Sequence, residues 1–244
     1  MQRLFKPALF FVTILLFAVS SFSQSISRED LRKEIEAKRT ELQALENRFL
    51  APSKEDRTAN AEFLKEPNTG LIRLLPRELY DVEVYDKTRK SLTIRGGGAY
   101  YSFTRLTHEY GSGSDIQLEA GHLSVGFAGA NYGILTKLVD VSLEEVSLQH
   151  PIVSFLAEYK AAAVEPDARI EQRRFSGGTT IDGVLYQRRL PVETQATYVL
   201  RSIDYATSDV LVAFRVVRKD TDGSVIIAWK LLQKYPVPEL ARNN

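Results

Sequence analysis

The chain has no cysteine among its 244 residues. Disulfide bonds, thiolate metal sites and lipid attachment through a cysteine are therefore all excluded. Exported eukaryotic domains commonly depend on disulfides, so this absence favours a bacterial envelope or secreted protein over a eukaryotic one. A chain of this length can be stable on its hydrophobic core alone.

A dominant charge of either sign is also missing. The 32 basic and 31 acidic residues leave a formal net charge of +1, and removing residues 1–23 with their two basic residues changes it to −1. Such a chain lacks the electrostatic field that attracts nucleic acid or an anionic membrane. We therefore predict no nucleic-acid partner, and contact with a membrane only during export.

Only one long hydrophobic run occurs, residues 8–19, which are apolar except for Thr13, and Arg3 and Lys6 precede it. A helix that spans a membrane needs roughly 20 apolar residues, so this run is short for a stable span. Basic residues near the N-terminus, followed by a short apolar segment and then by small residues, are typical of a secretory signal peptide. The pattern predicts an exported protein, periplasmic or extracellular.

Small residues at Ser21 and Ser23 suit a signal peptidase that recognises positions −3 and −1. We predict that residues 1–23 are removed by cleavage between Ser23 and Gln24. Cleavage after Ser20 is the second choice, and an uncleaved N-terminal anchor is the alternative.

Residues 24–66 carry 19 charged residues and form the most polar part of the chain. Ser27 with Asp30 three positions later is a helix N-cap pattern. Apolar residues follow at an average spacing of 3.5: Leu31, Ile35, Leu42, Leu45 and Phe49. Lys38 takes the one position of this seam that should be apolar. The spacing predicts an amphipathic helix of about six turns that ends at Pro52.

Ser53 repeats the capping pattern and predicts a second, shorter helix that reaches Lys65. Residues 24–66 can form a short coiled coil that binds a second copy of the chain or another envelope protein. Alternatively, the helix packs on its own domain or acts as a semi-flexible stalk. Fewer than four heptads and a lysine in the seam favour the second interpretation.

From Leu71 onward the apolar period changes to two, which predicts a β-rich globular domain over residues 67–236 and a tail over 237–244. Strands are expected at residues 81–85 and 91–95. Residues 96–133 hold 9 of the 14 glycines together with six aromatic residues. Glycines at strand ends and bulges, with aromatic rings packed over them, predict a strongly curved sheet.

Three consecutive runs rich in β-branched and aromatic residues, 197–205, 210–218 and 224–234, predict an antiparallel meander. Two apolar faces are expected on the last two strands: Val210, Val212, Phe214 and Val216 on one, and Val225, Ile227, Trp229 and Leu231 on the other.

Two further elements are predicted before the meander. Asp182-Gly183 predicts a tight hairpin turn. Pro151 predicts the first turn of an internal helix, entered through His150 and ended by Pro166. The predicted fold is thus α+β, predominantly antiparallel sheet, curved or sandwich-like, with an N-terminal amphipathic helix and one internal helix.

The candidate catalytic residues are His108, Asp115 and His122. If residues 103–110 paired with residues 116–125, the two histidines would face each other with Asp115 near the hairpin tip. That set resembles the donors of a metal site or the base and acid of a hydrolase. The spacing matches no metal motif and no serine lies in a G-x-S-x-G elbow, so we predict no metal and no cofactor.

Four arginines form a candidate binding patch: Arg173, Arg174, Arg188 and Arg189. If strands at residues 169–175 and 184–190 paired, these side chains would gather on one surface and bind carboxylates or phosphates of envelope glycans or lipids. Ordinary solvent-facing positions are the favoured explanation, because the net charge offers no supporting field.

The sequence therefore favours a non-enzymatic binding or cell-envelope accessory module. One alternative is a secreted hydrolase centred on residues 103–125. The other is an envelope subunit assembled through a coiled coil in residues 24–66.

Overall fold

The computed structural model describes residues 27–80 and 98–241, except residues 109 and 112. The predicted signal peptide and the strands expected at 81–85 and 91–95 lie outside the described residues. The chain divides into two compact units, residues 1–43 and residues 44–244. Among the helices in the described part, none combines the length and the apolar character that a membrane span requires.

The predicted N-terminal helix is confirmed as α1 (Arg28–Leu50). The Ser27 hydroxyl accepts a hydrogen bond from the Asp30 backbone N–H at 3.1 Å, which caps the first turn. The next helix, α2 (Lys54–Ala59), begins with a capping box. It is shorter than predicted, and a single 3₁₀ turn (Phe63–Lys65) follows it.

Three more helices occur in the described residues: α3 (Arg77–Tyr80), α4 (Pro151–Glu158) and α5 (Glu165–Gly177). The strands in chain order are β1 (Thr69–Leu74), β2 (Tyr100–Tyr101), β3 (Ile116–Glu119), β4 (His122–Ser124), β5 (Tyr132–Leu138), β6 (Thr179–Ile181), β7 (Val184–Tyr186), β8 (Arg189–Pro191), β9 (Thr197–Asp204), β10 (Ser208–Lys219) and β11 (Val225–Lys234).

These strands form two antiparallel sheets and a separate hairpin. The large sheet has the order β1-β11-β10-β9-β5, the small sheet has the order β2-β3-β4-β8, and β6 pairs with β7. The fold class is therefore α+β with mostly antiparallel sheet, as predicted.

One hydrophobic core joins the two sheets. Val212, Phe214 and Val216 of β10 lie in it beside Ile227 and Trp229 of β11, so the alternating faces predicted for the meander are confirmed. The small sheet contributes buried residues from each of its strands: Tyr101, Ile116, Leu118, Leu123 and Leu190.

A second core covers the opposite face of the large sheet. Residues of α4 and α5, among them Leu156 and Phe175, pack there with Val199 and Leu211 of the sheet. Because both faces are covered, every residue of β9 is buried. This also explains why residues 210–214 of β10 are all apolar instead of strictly alternating.

The strand predicted at residues 169–175 is wrong, because these residues belong to α5. Pro166 lies in the first turn, where its missing N–H costs nothing. Ala168 and Phe175 are buried seven residues apart, which places them on one face of a helix. The predicted start of α4 at Pro151 and the hairpin turn at Asp182-Gly183 are both confirmed.

Candidate functional site

A cavity of about 600 Å³ lies at the end of β5. We call it the polar pocket. Residues from three separate segments line it, among them Lys137, Asp140, Ser142, Glu193, Gln195 and Arg215.

An apolar pocket of about 450 Å³ adjoins the polar pocket and shares Lys137, Val139 and Glu193 with it. Its remaining walls are mostly aliphatic or aromatic, and include Ile152, Val184, Leu185, Leu190 and Tyr198. The Lys137 ammonium donates to both carboxylate oxygens of Glu193, at 2.8 and 2.9 Å. This ion pair therefore marks the border between a polar and an apolar compartment.

A third cavity of about 550 Å³ continues the polar pocket on its other side. The two share Ser142, Gln195 and Arg215. We refer to the three adjoining cavities together as the groove. Arg215 of β10 is thus common to two of its three compartments.

The Arg215 guanidinium is held only by neutral oxygens. Its Nε donates to Gln195 Oε1 and its Nη1 donates to Thr197 Oγ1, both at 3.3 Å. No carboxylate of the described residues lies within ion-pair distance of it. Arg201, by contrast, is buried and donates to both carboxylate oxygens of Asp209. Arg215 therefore keeps the capacity to bind an anion through two parallel hydrogen bonds.

The backbone of the polar pocket is strained at Gln195, which has a φ of 66°. A left-handed conformation at a residue other than glycine costs on the order of 1–3 kcal/mol. The loop holds it in place, because the Gln195 N–H donates to the Val216 carbonyl and its Nε2 donates to the Val217 carbonyl, both at 2.7 Å. This places the side-chain amide oxygen of Gln195, Oε1, within hydrogen-bond distance of Arg215 and fixes the guanidinium.

His108 does not belong to this groove. Its Nε2 lies 2.7 Å from the Arg73 carbonyl oxygen, and its ring packs against Tyr101 with the centroids 5.0 Å apart. Burial lowers the pKa of His108, so the imidazole is neutral near pH 7. These contacts assign it to the packing between β1 and β2.

The pairing of residues 103–110 with 116–125 is wrong. The segment after β2 closes on itself as a tight turn, in which the Ser102 N–H donates to the Thr107 carbonyl at 2.9 Å. Leu106 has a φ of 55° in this turn, so the chain reverses before it can extend along β3. The small-sheet neighbours of β3 are instead β2 and β4.

Asp115 and His122 lie at opposite ends of the hairpin that β3 forms with β4. Asp115 directly precedes β3, whereas His122 pairs with Glu119 beside the turn. Four residues of strand separate the two by roughly 13 Å. His122 Nδ1 lies 2.8 Å from the Ala120 carbonyl oxygen. A histidine and an acid that act together in catalysis must be within hydrogen-bond reach, and these two are not.

Asp115 is fully buried instead of lying at a hairpin tip. Its carboxylate accepts a hydrogen bond from the Phe103 N–H at 2.7 Å. Burial raises its pKa to about 6, against the lowering effect of hydrogen bonds from Ser202 and Phe103, and the nearby Asp204 carboxylate raises it further. A perturbed acid is a candidate for chemistry. Asp115 lines none of the cavities of the groove, however.

Three of the four arginines of the predicted patch bind separate partners. Arg174 of α5 is paired with Glu171 at 3.2 Å, Arg188 donates to the Val125 carbonyl at 3.0 Å, and Arg189 donates to the Glu119 carbonyl at 3.3 Å. Arg173 lies on α5 beside Arg174. The paired strands expected to gather these side chains are not formed, because residues 169–175 are helical.

Among the residues that the structure describes, no three histidine or acidic side chains are arranged to hold a metal ion. The sequence reasoning missed the groove, because its residues come from distant segments. The only local signal is Arg215, a charge in the middle of an apolar strand. Comparison of the chain with protein-family models, curated proteins and solved structures finds no match.

Proposed function

We propose that the chain is an exported, non-enzymatic binding module of the cell envelope. Its ligand is a small amphipathic molecule with a carboxylate, and it lies in the groove. The observation that carries this proposal is the Arg215 guanidinium, which no acid neutralises within the described residues and which faces two adjoining cavities.

The chemistry of the two ends of the groove determines the ligand class. A guanidinium presents parallel N–H donors that match a carboxylate, which accounts for the anionic end of the ligand. The apolar pocket beyond the Lys137–Glu193 pair accounts for its hydrophobic part. Ligand sites generally combine apolar walls with a few fixed polar groups, as this groove does.

Export is the second part of the proposal and depends on the sequence alone. Arg3, Lys6 and the mostly apolar residues 8–19 support a leader that directs the chain across a membrane. For an exported protein, the absence of cysteine favours a bacterial source over a eukaryotic one.

The test uses dodecanoate as the probe and dodecanol, which lacks the charge, as its control. We expect dodecanoate to shift the amide NMR signals of residues 136–142 and 193–197, and dodecanol to bind at least tenfold more weakly. Arg215→Gln should weaken dodecanoate binding tenfold or more, while Arg173→Gln, outside the groove, should leave it unchanged.

Arg215→Lys keeps the positive charge but loses the parallel N–H donors of the guanidinium, so this variant should bind dodecanoate with intermediate affinity. Thermal melts of each variant separate a loss of binding from a loss of folding. Equal binding of dodecanoate by the native chain and a folded Arg215→Gln variant would overturn the proposal.

A further inference from the structure

Exposed apolar side chains are concentrated on one helix. Of the eleven large hydrophobic residues that are exposed in the described chain, five lie on α1: Leu31, Ile35, Leu42, Leu45 and Phe49. Their exposed fractions range from 39% to 52%. They follow the alternating spacing of four and three residues that forms the seam of a coiled coil, with Lys38 completing the series.

We propose that α1 pairs with α1 of a second copy of the chain, and that the two helices are antiparallel. The register pairs seam residues whose numbers add up to 80, so that the flanking residues beside the seam meet at sums of 78 or 82. Leu31 then faces Phe49 of the second copy, Ile35 faces Leu45, and Lys38 faces Leu42. Layers formed only by apolar residues, Leu31 with Phe49 and Ile35 with Leu45, lie on both sides of the centre. At the centre, Lys38 of each copy packs against Leu42 of the other.

The seam itself disfavours the parallel arrangement. Parallel helices in register place each residue opposite its own copy, so the two Lys38 ammonium groups would meet in the core. In the antiparallel register they are separated, and the long lysine stem can cover Leu42 while its charge reaches water.

The charged residues on either side of the seam also favour the antiparallel arrangement. In the antiparallel register Arg32 faces Glu46 of the second copy and Glu34 faces its Arg48. Because the dimer has twofold symmetry, each of these attractive pairs occurs twice. Only the central contacts of Arg39 and Glu41 with their own copies are repulsive. Flanking charges set partner choice and orientation in coiled coils.

In the parallel register the balance is less favourable. Glu34 would attract Arg39, but Glu41 would repel Glu46, so the flanking charges cancel. Within the described residues, Glu34, Glu46 and Arg48 make no ion pair, which leaves them available to a second copy. The pattern therefore selects an antiparallel pair of α1 helices.

The absence of native cysteine makes a direct test possible, since every disulfide formed must come from an introduced pair. Full chains carrying Ile35→Cys or Leu45→Cys are purified and oxidised separately and as a mixture. We expect a covalent dimer only in the mixture, because these two positions face each other. A dimer from Ile35→Cys alone shows the parallel arrangement, and no dimer under any condition shows that α1 does not self-associate; either result overturns the proposal.

A charge exchange gives an independent readout by light scattering over a range of concentrations. Arg32→Glu should weaken dimerisation about tenfold or more, and adding Glu46→Arg to it should restore the native value. Thr40→Glu, on the outer face of the helix, is the matched control and should leave the dimer unchanged. Failure of the double exchange to restore the dimer contradicts the antiparallel register.

Discussion

At the scale of single residues, Asp115 is the group whose environment differs most from what its position in a glycine-rich segment suggests. Its pKa in the folded chain is about 6, well above the ordinary value of 3.8. Between pH 3.8 and about pH 6, Asp115 is therefore mostly protonated in the folded chain and mostly ionised in the unfolded chain. Ionisation of Asp115 destabilises the fold above pH 6, and this cost disappears as the pH falls through 6 towards 4.

Asp115→Asn removes this cost, because an amide side chain has no charge to desolvate and its oxygen can still accept from the Phe103 N–H. We expect the variant to be more stable than the native chain at pH 8, by up to about 3 kcal/mol. The difference should shrink steadily between pH 7 and pH 4.5. Urea unfolding of both chains across this range measures it, and a difference independent of pH would show that Asp115 does not titrate as described.

At position 126, both the backbone conformation and the close packing require glycine. It has a φ of +76°, and an added Cβ would lie 2.7 Å from the Tyr132 Cα. We expect Gly126→Ala to destabilise the domain by about 3 kcal/mol, through conformational strain and overpacking together. Gly121, with a φ of +69° and open space around it, is the matched control.

Gly121→Ala should therefore cost only the strain of the left-handed conformation, about 1 kcal/mol. Chemical denaturation of the two variants separates the two contributions. If both substitutions cost the same, the close approach of Tyr132 to Gly126 has no energetic consequence.

At the scale of elements, the sequence predicted those segments whose apolar residues recur with a clear period. The residues of β10 that face the core between the sheets alternate, and the apolar residues of α1 recur every three or four positions although they are exposed. α5 was mistaken for a strand because its buried face is narrow. Only Ala168 and Phe175 are fully covered, and four of the six residues between them are charged.

The predicted faces of the meander can be tested by placing one charge in the core. Val212 is fully buried between the two sheets, and Val237 is half exposed after the end of β11. We expect Val212→Asp to prevent folding or to lower the free energy of unfolding by more than 4 kcal/mol, because the carboxylate has no partner there.

Val237→Asp makes the same chemical change at a solvent-facing site and should alter stability by less than 0.5 kcal/mol. Circular dichroism and thermal melting compare the two variants. A Val212→Asp chain that melts like the native chain would contradict the facing of β10.

At the scale of the whole molecule, the fold class follows from local patterns but the groove does not. Lys137 and Gln195 are ordinary in their own segments, Arg215 stands out only as a charge within an apolar strand, and the antiparallel order of β5, β9 and β10 brings the three together. That order depends on contacts between residues far apart in the chain. The candidate residues of the glycine-rich segment failed for the same reason, since a tight turn after β2 replaced the assumed pairing.

We predict that the first residues direct the whole molecule out of the cytoplasm, and cleavage of the leader can be tested directly. Expression of the complete chain in a bacterium should yield a mature form that begins at Gln24, measured by intact mass and N-terminal sequencing of the periplasmic fraction. Ser23→Leu should block this cleavage, because the peptidase requires a small residue at that position. Ser25→Leu, beyond the cleavage site, should leave it unaffected. A mature form that retains Met1 would contradict cleavage, and with it the assignment of residues 1–23 as a leader.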